Sequence, residues 1–295
     1  MDPGHDRAGG PAPLALLGVG YMGGSLALAA REAGLASEVI GFDPDPAAGR
    51  MALSRGIVDR MVARPAEAVA GAKRVVLAAP VRSLATLAQA IAAEVRPDAL
   101  VIDIGSVKGT VVRQIEQTAL AGRFVGCHPL AGTEATGPIA ADAALYRGKP
   151  CFLCPGPRAT AAAIEAARAL WLAIGASVIH LDPEPHDEFM AAASHLPHVA
   201  AFSLALGLED QAEMLIERIP PTCPPTSLRD CTRVAASNPA VWRDILLENR
   251  AHLLPLVGQL QARLNQLRTA LEDGDATGLL DLLARGQKSR RRIVG

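Results

Sequence analysis

Residues 14–43 constrain the fold of this chain more than any other stretch. A short apolar run at 14–17 leads into Gly18-Val19-Gly20-Tyr21-Met22-Gly23, then a helix-forming segment at 24–31, then a second apolar run at 39–42 closed by Asp43. Each glycine answers a steric demand: Gly18 permits a tight turn, Gly20 lets a pyrophosphate approach the backbone, and Gly23 lets helix pack on strand. The N–H groups at the helix start, around Val19, Tyr21 and Met22, then bind the phosphates. Asp43 stands twenty residues beyond Gly23, where a carboxylate accepts hydrogen bonds from both ribose hydroxyls. Its charge opposes a 2′-phosphate, which favours NAD over NADP. Ala79 and Pro80, at the end of the apolar run 75–79, are expected to complete the cofactor wall.

Further apolar runs at 100–104 and 124–127 continue the alternation of short strands and helices, which implies a parallel sheet covered on both faces. Runs at 151–154 and 177–181 extend that sheet, and residues 158–174 between them read as one helix stopped by Gly175. The expected fold class is therefore α/β: a flexible tail at 1–10, then a Rossmann-type doubly wound sheet domain at 11–182. Asp182-Pro183 is a helix start, a capping carboxylate followed by Pro in the first turn. Beyond it only helical patterns occur, giving an all-helical domain at 183–287 and a solvated basic tail at 288–295. Asn238-Pro239 starts a long apolar helix that Pro255 is expected to kink. Gly274 ends it, and Asp275 caps a last helix through 283. So long an apolar helix needs cover, and a homodimer through the helical domain is expected.

Composition excludes several classes. Of 295 residues, 50% are hydrophobic and the formal net charge is −1, which rules out general disorder and argues against a dedicated nucleic-acid binder. The window 190–208 is the most membrane-like, but Ser194, His195, Pro197 and His198 interrupt it, so a buried soluble helix and no membrane partner are expected. No secretion signal is visible, and the five cysteines form no even framework, so reduced thiols in a cytoplasm are expected. Cys151 and Cys154 lie three apart in a strand and so face opposite ways, which disfavours zinc.

Ligands of such sheets bind beyond the carboxyl ends of the strands. Two polar clusters fall there: Gly105-Ser106-Val107-Lys108-Gly109 and His128-Pro129-Leu130-Ala131-Gly132-Thr133-Glu134. In the helical domain, Ser194-His195-Leu196-Pro197-His198 places two imidazoles on one helix face, beside a Pro that should kink the backbone. Arg229 and Arg233, four apart, can clamp a carboxylate. His128, His195 and His198 make a metal conceivable, but a nicotinamide accepts hydride without one, so none is expected. Trp242, one of few aromatics, is a candidate pocket wall.

These motifs, with His186-Asp187 and the segment from Arg229-Asp230-Cys231-Thr232-Arg233 to Trp242-Arg243-Asp244-Ile245, resemble the prephenate and arogenate dehydrogenases of tyrosine biosynthesis, from about residue 14 to 267. The resemblance implies NAD-dependent oxidative decarboxylation of a cyclohexadienyl acid: hydride leaves ring C4, the C4 hydroxyl becomes a phenol, and the ring carboxylate departs as CO2. His128 would accept the hydroxyl proton. Ser106 would hold the same hydroxyl, orient His128 and border the cofactor. Arg233 would bind the ring carboxylate. His198, Ser194 and Thr133 would contact substrate, with Ser194 and His195 near the nicotinamide end. Glu134 and Asp230 would form gating ion pairs, with Arg229 beside them, although the family often has Lys at that position.

Two other readings compete. A hydroxy-acid dehydrogenase of the same architecture usually places a Lys base in the helical domain, yet no Lys occurs from 151 to 287. A non-catalytic NAD-binding sensor would keep the glycine loop but need neither His128 nor the paired arginines.

Overall fold

A computed structural model describes residues 10–132, 135–211, 213, 217 and 226–295. Its first domain is built on an eight-stranded sheet of order β3-β2-β1-β4-β5-β6-β7-β8. The strands are β1 (Ala12–Leu17), β2 (Ala36–Phe42), β3 (Arg60–Met61), β4 (Arg74–Leu77), β5 (Leu100–Asp103), β6 (Phe124–Pro129), β7 (Pro150–Pro155) and β8 (Ser177–His180). The first six are parallel, β7 runs antiparallel to β6, and β8 is parallel to β7. The order 3-2-1-4-5-6 is that of a dinucleotide-binding sheet, and it opens a crevice where β1 and β4 part company. The two-residue β3 carries too short a run to stand out in the sequence.

The alternation of β1 explains the layers. Leu14 and Leu16 enter one apolar layer with Leu26, Ala27, Ala30 and Trp171. Ala15 and Leu17 enter the other with Val75, Leu77, Leu84 and Val101. Both faces are covered, so these strands are apolar at every position rather than at alternate ones. Helix α1 (Tyr21–Glu32) contributes glycine and alanine on its inner side and lies close to the sheet. The remaining layer helices are α2 (Pro46–Ser54), α3 (Pro65–Val69), α4 (Leu84–Ile91), α5 (Gly109–Ile115) and α6 (Ala161–Ala173). Thr160 caps α6 and Gly175 turns the chain at φ +86°, so that helix begins three residues later than its sequence pattern suggests. Cys151 and Cys154 enter different apolar clusters, as expected of positions three apart in β7.

The second domain is helical: α7 (Pro183–Met190), a π turn (Ala191–His195), α8 (Leu196–Gly207), α9 (Thr226–Thr232), α10 (Pro239–Glu248), α11 (Arg250–Glu272) and α12 (Ala276–Val294). Several local expectations change. Asp182 precedes α7, but its side chain makes no capping bond. Pro197 lacks an N–H, and the chain absorbs that loss in the π turn just before it rather than in a bare kink. The break in the long apolar stretch falls at Asn249, between α10 and α11, while Pro255 is accommodated within α11. Asn249 has φ −102° and ψ 18°, and its side chain makes the tertiary bonds described below. The last helix, expected to end at 283, continues as α12 through 294, and the basic segment 288–294 is exposed along it. Asn238 and Asp275 do cap α10 and α12 through their side chains.

The expectation of a buried helix at 190–208 is also corrected. The stretch Pro183–Gly207 is long and apolar enough to cross a membrane by length and composition, yet only 22% of its most apolar window is buried inside the chain. Its polar residues Asp187 and His195 are instead bonded to other parts of the fold, as the site shows.

Candidate active site

The glycine loop has the sterics its sequence implies. Gly18 has φ +103°, and a side chain there would collide with the Ala78 carbonyl. A Cβ on Gly23 would stand 2.5 Å from the Gly18 carbonyl oxygen and 2.6 Å from Ala78 Cβ. Gly20, by contrast, faces open space within 4 Å. Substituents are thus barred at two glycines by the fold itself, and at the third only a ligand could object. Asp43 accepts hydrogen bonds from the N–H of Val19 at 3.0 Å and of Asp45 at 2.9 Å. One oxygen anchors it to the loop and the other to its own turn, and each keeps a lone pair for a ribose. Ala79 closes over the loop, with its nitrogen 3.2 Å from the position of a Gly18 Cβ, and Pro80 follows it. Gly132, at φ +112°, brings the segment after His128 onto Met22, whose Sδ would be 3.2 Å from a Cβ there. These features fit a dinucleotide.

Beyond the strand ends lies a buried polar network. Asp103 closes the otherwise apolar β5, and its carboxylate accepts from Lys108 Nζ, from the Gly105 N–H at 2.9 Å and from the Cys127 N–H at 3.1 Å. Lys108 is fully buried and also donates to the Cys127 carbonyl at 2.8 Å. A buried charge is tolerable only when paired and bonded in this way. The pair ties β5, β6 and the Ser106 loop together under His128.

His128 ends β6, nearly buried. Its Nδ1 lies 2.8 Å from His186 Nε2, and His186 Nδ1 lies 2.8 Å from Asp187 Oδ1. The Asp187 carboxylate also accepts the N–H groups of Lys108 and Gly109, each at 2.8 Å, and so caps α5 from the other domain. Burial, then the neighbouring His186 and Lys108, holds the His128 pKa well below the usual imidazole value. His128 is therefore neutral and able to accept a proton at pH 7.

His195 is fully buried, and its pKa is pushed down to about 4, chiefly by desolvation. Asn249 Nδ2 donates to the Asp187 carbonyl at 2.7 Å and reaches His195 Nδ1 at 2.9 Å. The same amide nitrogen serves both, so His195 Nδ1 accepts and its proton sits on Nε2. That Nε2 is buried with no partner among the described residues. A buried donor left without a partner fits a ligand acceptor. Trp242 stacks on His198 at 3.4 Å between ring centroids and meets His195 edge-on at 6.0 Å. Both imidazoles thus contact the one indole.

Other expected site residues are placed less directly. Ser106 is half-buried on the loop before α5, and the ring partner of His128 is His186 rather than Ser106. Ser194 lies in the π turn, and its carbonyl accepts from or faces His198 Nδ1 at 2.9 Å. Arg229 and Arg233 do not share one helix: α9 ends at Thr232, whose hydroxyl bonds back to the Leu228 carbonyl, and Arg233 opens a 3-10 turn. Asp230 is exposed on α9. Thr133, Glu134 and the Pro-rich loop 220–225 lie outside the described residues. Sequence reasoning gave no role to Asp103, Lys108, His186, Asp187 or Asn249. The signals existed: an acid closing an apolar strand, a Lys in a glycine-flanked loop, and an Asn interrupting an apolar helix.

The sheet, the glycine cradle and a neutral His at a strand end define a two-domain nicotinamide-dependent dehydrogenase. Residues 26–180 match the model for the prephenate dehydrogenase nucleotide-binding domain, and residues 182–285 match that for the prephenate dehydrogenase dimerization domain. The chain is 35% identical to a cyclohexadienyl dehydrogenase of Zymomonas mobilis, covering 94% of each chain. It is 31% identical to a prephenate dehydrogenase of Bacillus subtilis, covering 90% of this chain and 71% of the relative. Among solved structures, prephenate dehydrogenase of Aquifex aeolicus with hydroxyphenyl propionate and NAD+ superposes with a TM-score of 0.82 at 32% identity, over 95% of this chain and 98% of that one. This chain belongs to the prephenate dehydrogenase family.

Proposed function

We propose that this protein catalyses oxidative decarboxylation of prephenate, arogenate or both, with NAD as hydride acceptor, in tyrosine biosynthesis. The observation that carries this reading is the neutral His128 near the carboxyl end of β6, its Nδ1 2.8 Å from His186. The bound nicotinamide supplies the hydride acceptor. The loop at 18–23 and Asp43 hold the dinucleotide, and His195 Nε2 donates to an acceptor at its nicotinamide end. His128 Nε2 takes the C4 hydroxyl proton as hydride leaves C4. Loss of CO2 from the opposite ring carbon aromatises the ring, and the proton returns from His128 to the oxygen. Ser106 holds that oxygen. Arg233 binds the ring carboxylate, while His198, Ser194, Thr133 and Trp242 line the substrate pocket. Glu134, Asp230 and Arg229 gate it.

We also infer a homodimer acting in the cytoplasm. Leu206, Leu254, Leu264, Leu271 and Leu280 are each more than half exposed on the helical domain, a band that needs cover. Its family model is described as a dimerization domain.

A substrate panel tests the activity. NADH should form with prephenate or arogenate and not with hydroxy acids, and the ratio of kcat/KM for the two cyclohexadienyl acids sets the preference. Turnover of a hydroxy acid alone would favour the related dehydrogenases. NAD binding without any turnover would favour a sensor.

A further inference from the structure

The mechanism so far uses His128 but not His186, a fully buried imidazole standing between His128 and a buried carboxylate. We propose that His186 is a positioning residue that, held by Asp187, locks His128 in the tautomer whose Nε2 lone pair faces the substrate, and shares the charge when that nitrogen takes the proton. The proposal rests on the reading of His128 as the base.

Hydrogen-bond accounting assigns the protons. Asp187 receives the N–H groups of Lys108 and Gly109 in addition to His186, so its oxygens act only as acceptors. His186 Nδ1 must then donate. Burial lowers the His186 pKa, so the ring is neutral near pH 7 and its Nε2 is an acceptor. At 2.8 Å from that acceptor, His128 Nδ1 must carry the hydrogen. His128 Nε2 is left with a lone pair. The opposite tautomer would set two lone pairs against each other across 2.8 Å and present a donor to the substrate, useless for taking its proton.

The geometry is also stiff. Phe152 on β7 meets the His186 ring edge-on at 5.3 Å, and the two imidazoles stand at 69° to one another. Asp187 is fixed in turn by α5 and, through its carbonyl, by Asn249. When the substrate O–H bond breaks and His128 Nε2–H forms, the imidazolium donates its Nδ1–H to His186 Nε2. His186 Nδ1–H strengthens against the carboxylate as this happens. The proton later returns by the same Nε2, so nothing leaves the site and the chain of bonds resets. The logic is that of a carboxylate orienting a catalytic imidazole, with one further imidazole between them.

Imidazole 15N shifts of the ligand-free protein test this without any turnover. His128 should show a protonated Nδ1 and an unprotonated Nε2 at pH 7. His186→Phe should lose that signature and lower kcat about 10–100-fold with KM little changed, the usual cost of removing a group that orients a functional one. His186→Gln, whose carbonyl oxygen can still accept the Nδ1–H, should restore the tautomer and part of kcat. A wild-type His128 protonated on Nε2 would overturn the proposal, and this measurement needs no variant to fold. Wild-type kcat in His186→Phe, with His128→Asn impaired, would overturn it while sparing the base assignment. Wild-type kcat in His128→Asn would overturn the base assignment itself.

Discussion

The sheet domain buries most of its apolar residues, while the long C-terminal helices leave most of theirs exposed. Along β1 every residue from Leu14 to Leu17 is buried, whereas α12 buries none of its residues and α11 buries only Leu253 and Ala270. The first domain is a finished unit with a crevice for a nucleotide. The second bonds to the first through His186 and Asp187 and leaves many of its large apolar residues exposed. Chemistry sits on the seam: Asp103, Lys108 and His128 come from the sheet side, and His186, Asp187, His195 and Asn249 from the helices.

This contrast can be broken at several points. The largest effect is expected at the seam. His128→Asn should lower kcat by ~10²–10⁴ with little change in KM, because it removes the proton acceptor and no carboxylate clamp. Arg233→Ala should mainly raise KM. Steady-state kinetics of both variants would show whether His128 supplies chemistry and Arg233 supplies binding.

Core substitutions separate the domains next. Leu16→Ala should cost about 2–5 kcal/mol in denaturant unfolding, since Leu16 is fully buried. Leu264→Ser should leave the unfolding of one chain almost unchanged and weaken self-association measured by sedimentation. Equal effects of the two would mean that the helical domain is as self-contained as the sheet.

The seam also sets the acid response. His128, His186 and His195 bind protons more weakly folded than unfolded, as burial lowers all three. Below about pH 6.5 the unfolded chain takes up protons that the fold excludes, so stability is full above that pH and falls beneath it. For His195 the loss runs from about 6.5 down to about 4. Melting temperature against pH should show this decline, and kcat/KM should stay level just below pH 6.5 because His128 remains neutral. A melting temperature that rose on acidification would contradict the burial of these rings. Smallest in scope, Asp43→Arg should shift preference from NAD toward NADP, read as the ratio of kcat/KM for the two cofactors.

Much of the sheet domain was legible because its signals are local. Short apolar runs, the three glycines and Asp43 each report on a neighbour close in sequence, and their alternation with helices implies parallel strands. The antiparallel β7 left no such trace, since its direction depends on how the chain returns past residues 130–149. In the site, His128, His195, His198 and Trp242 stood out as polar or aromatic residues in apolar or strand-end settings. Asp187 did not, because its partners Lys108 and Gly109 are 79 and 78 residues away. Asn249 is likewise defined by a bond to His195 across 54 residues. The first contacts form only when the two domains meet and the second only when the helical domain has packed, so no periodicity announces them.

The central claim is oxidative decarboxylation at the seam, and the stoichiometry of NADH and CO2 tests it most directly. With prephenate or arogenate and NAD, the two products should appear together in equal amounts, and both should fall in step in His128→Asn. NADH without CO2, or CO2 without NADH, would contradict the account.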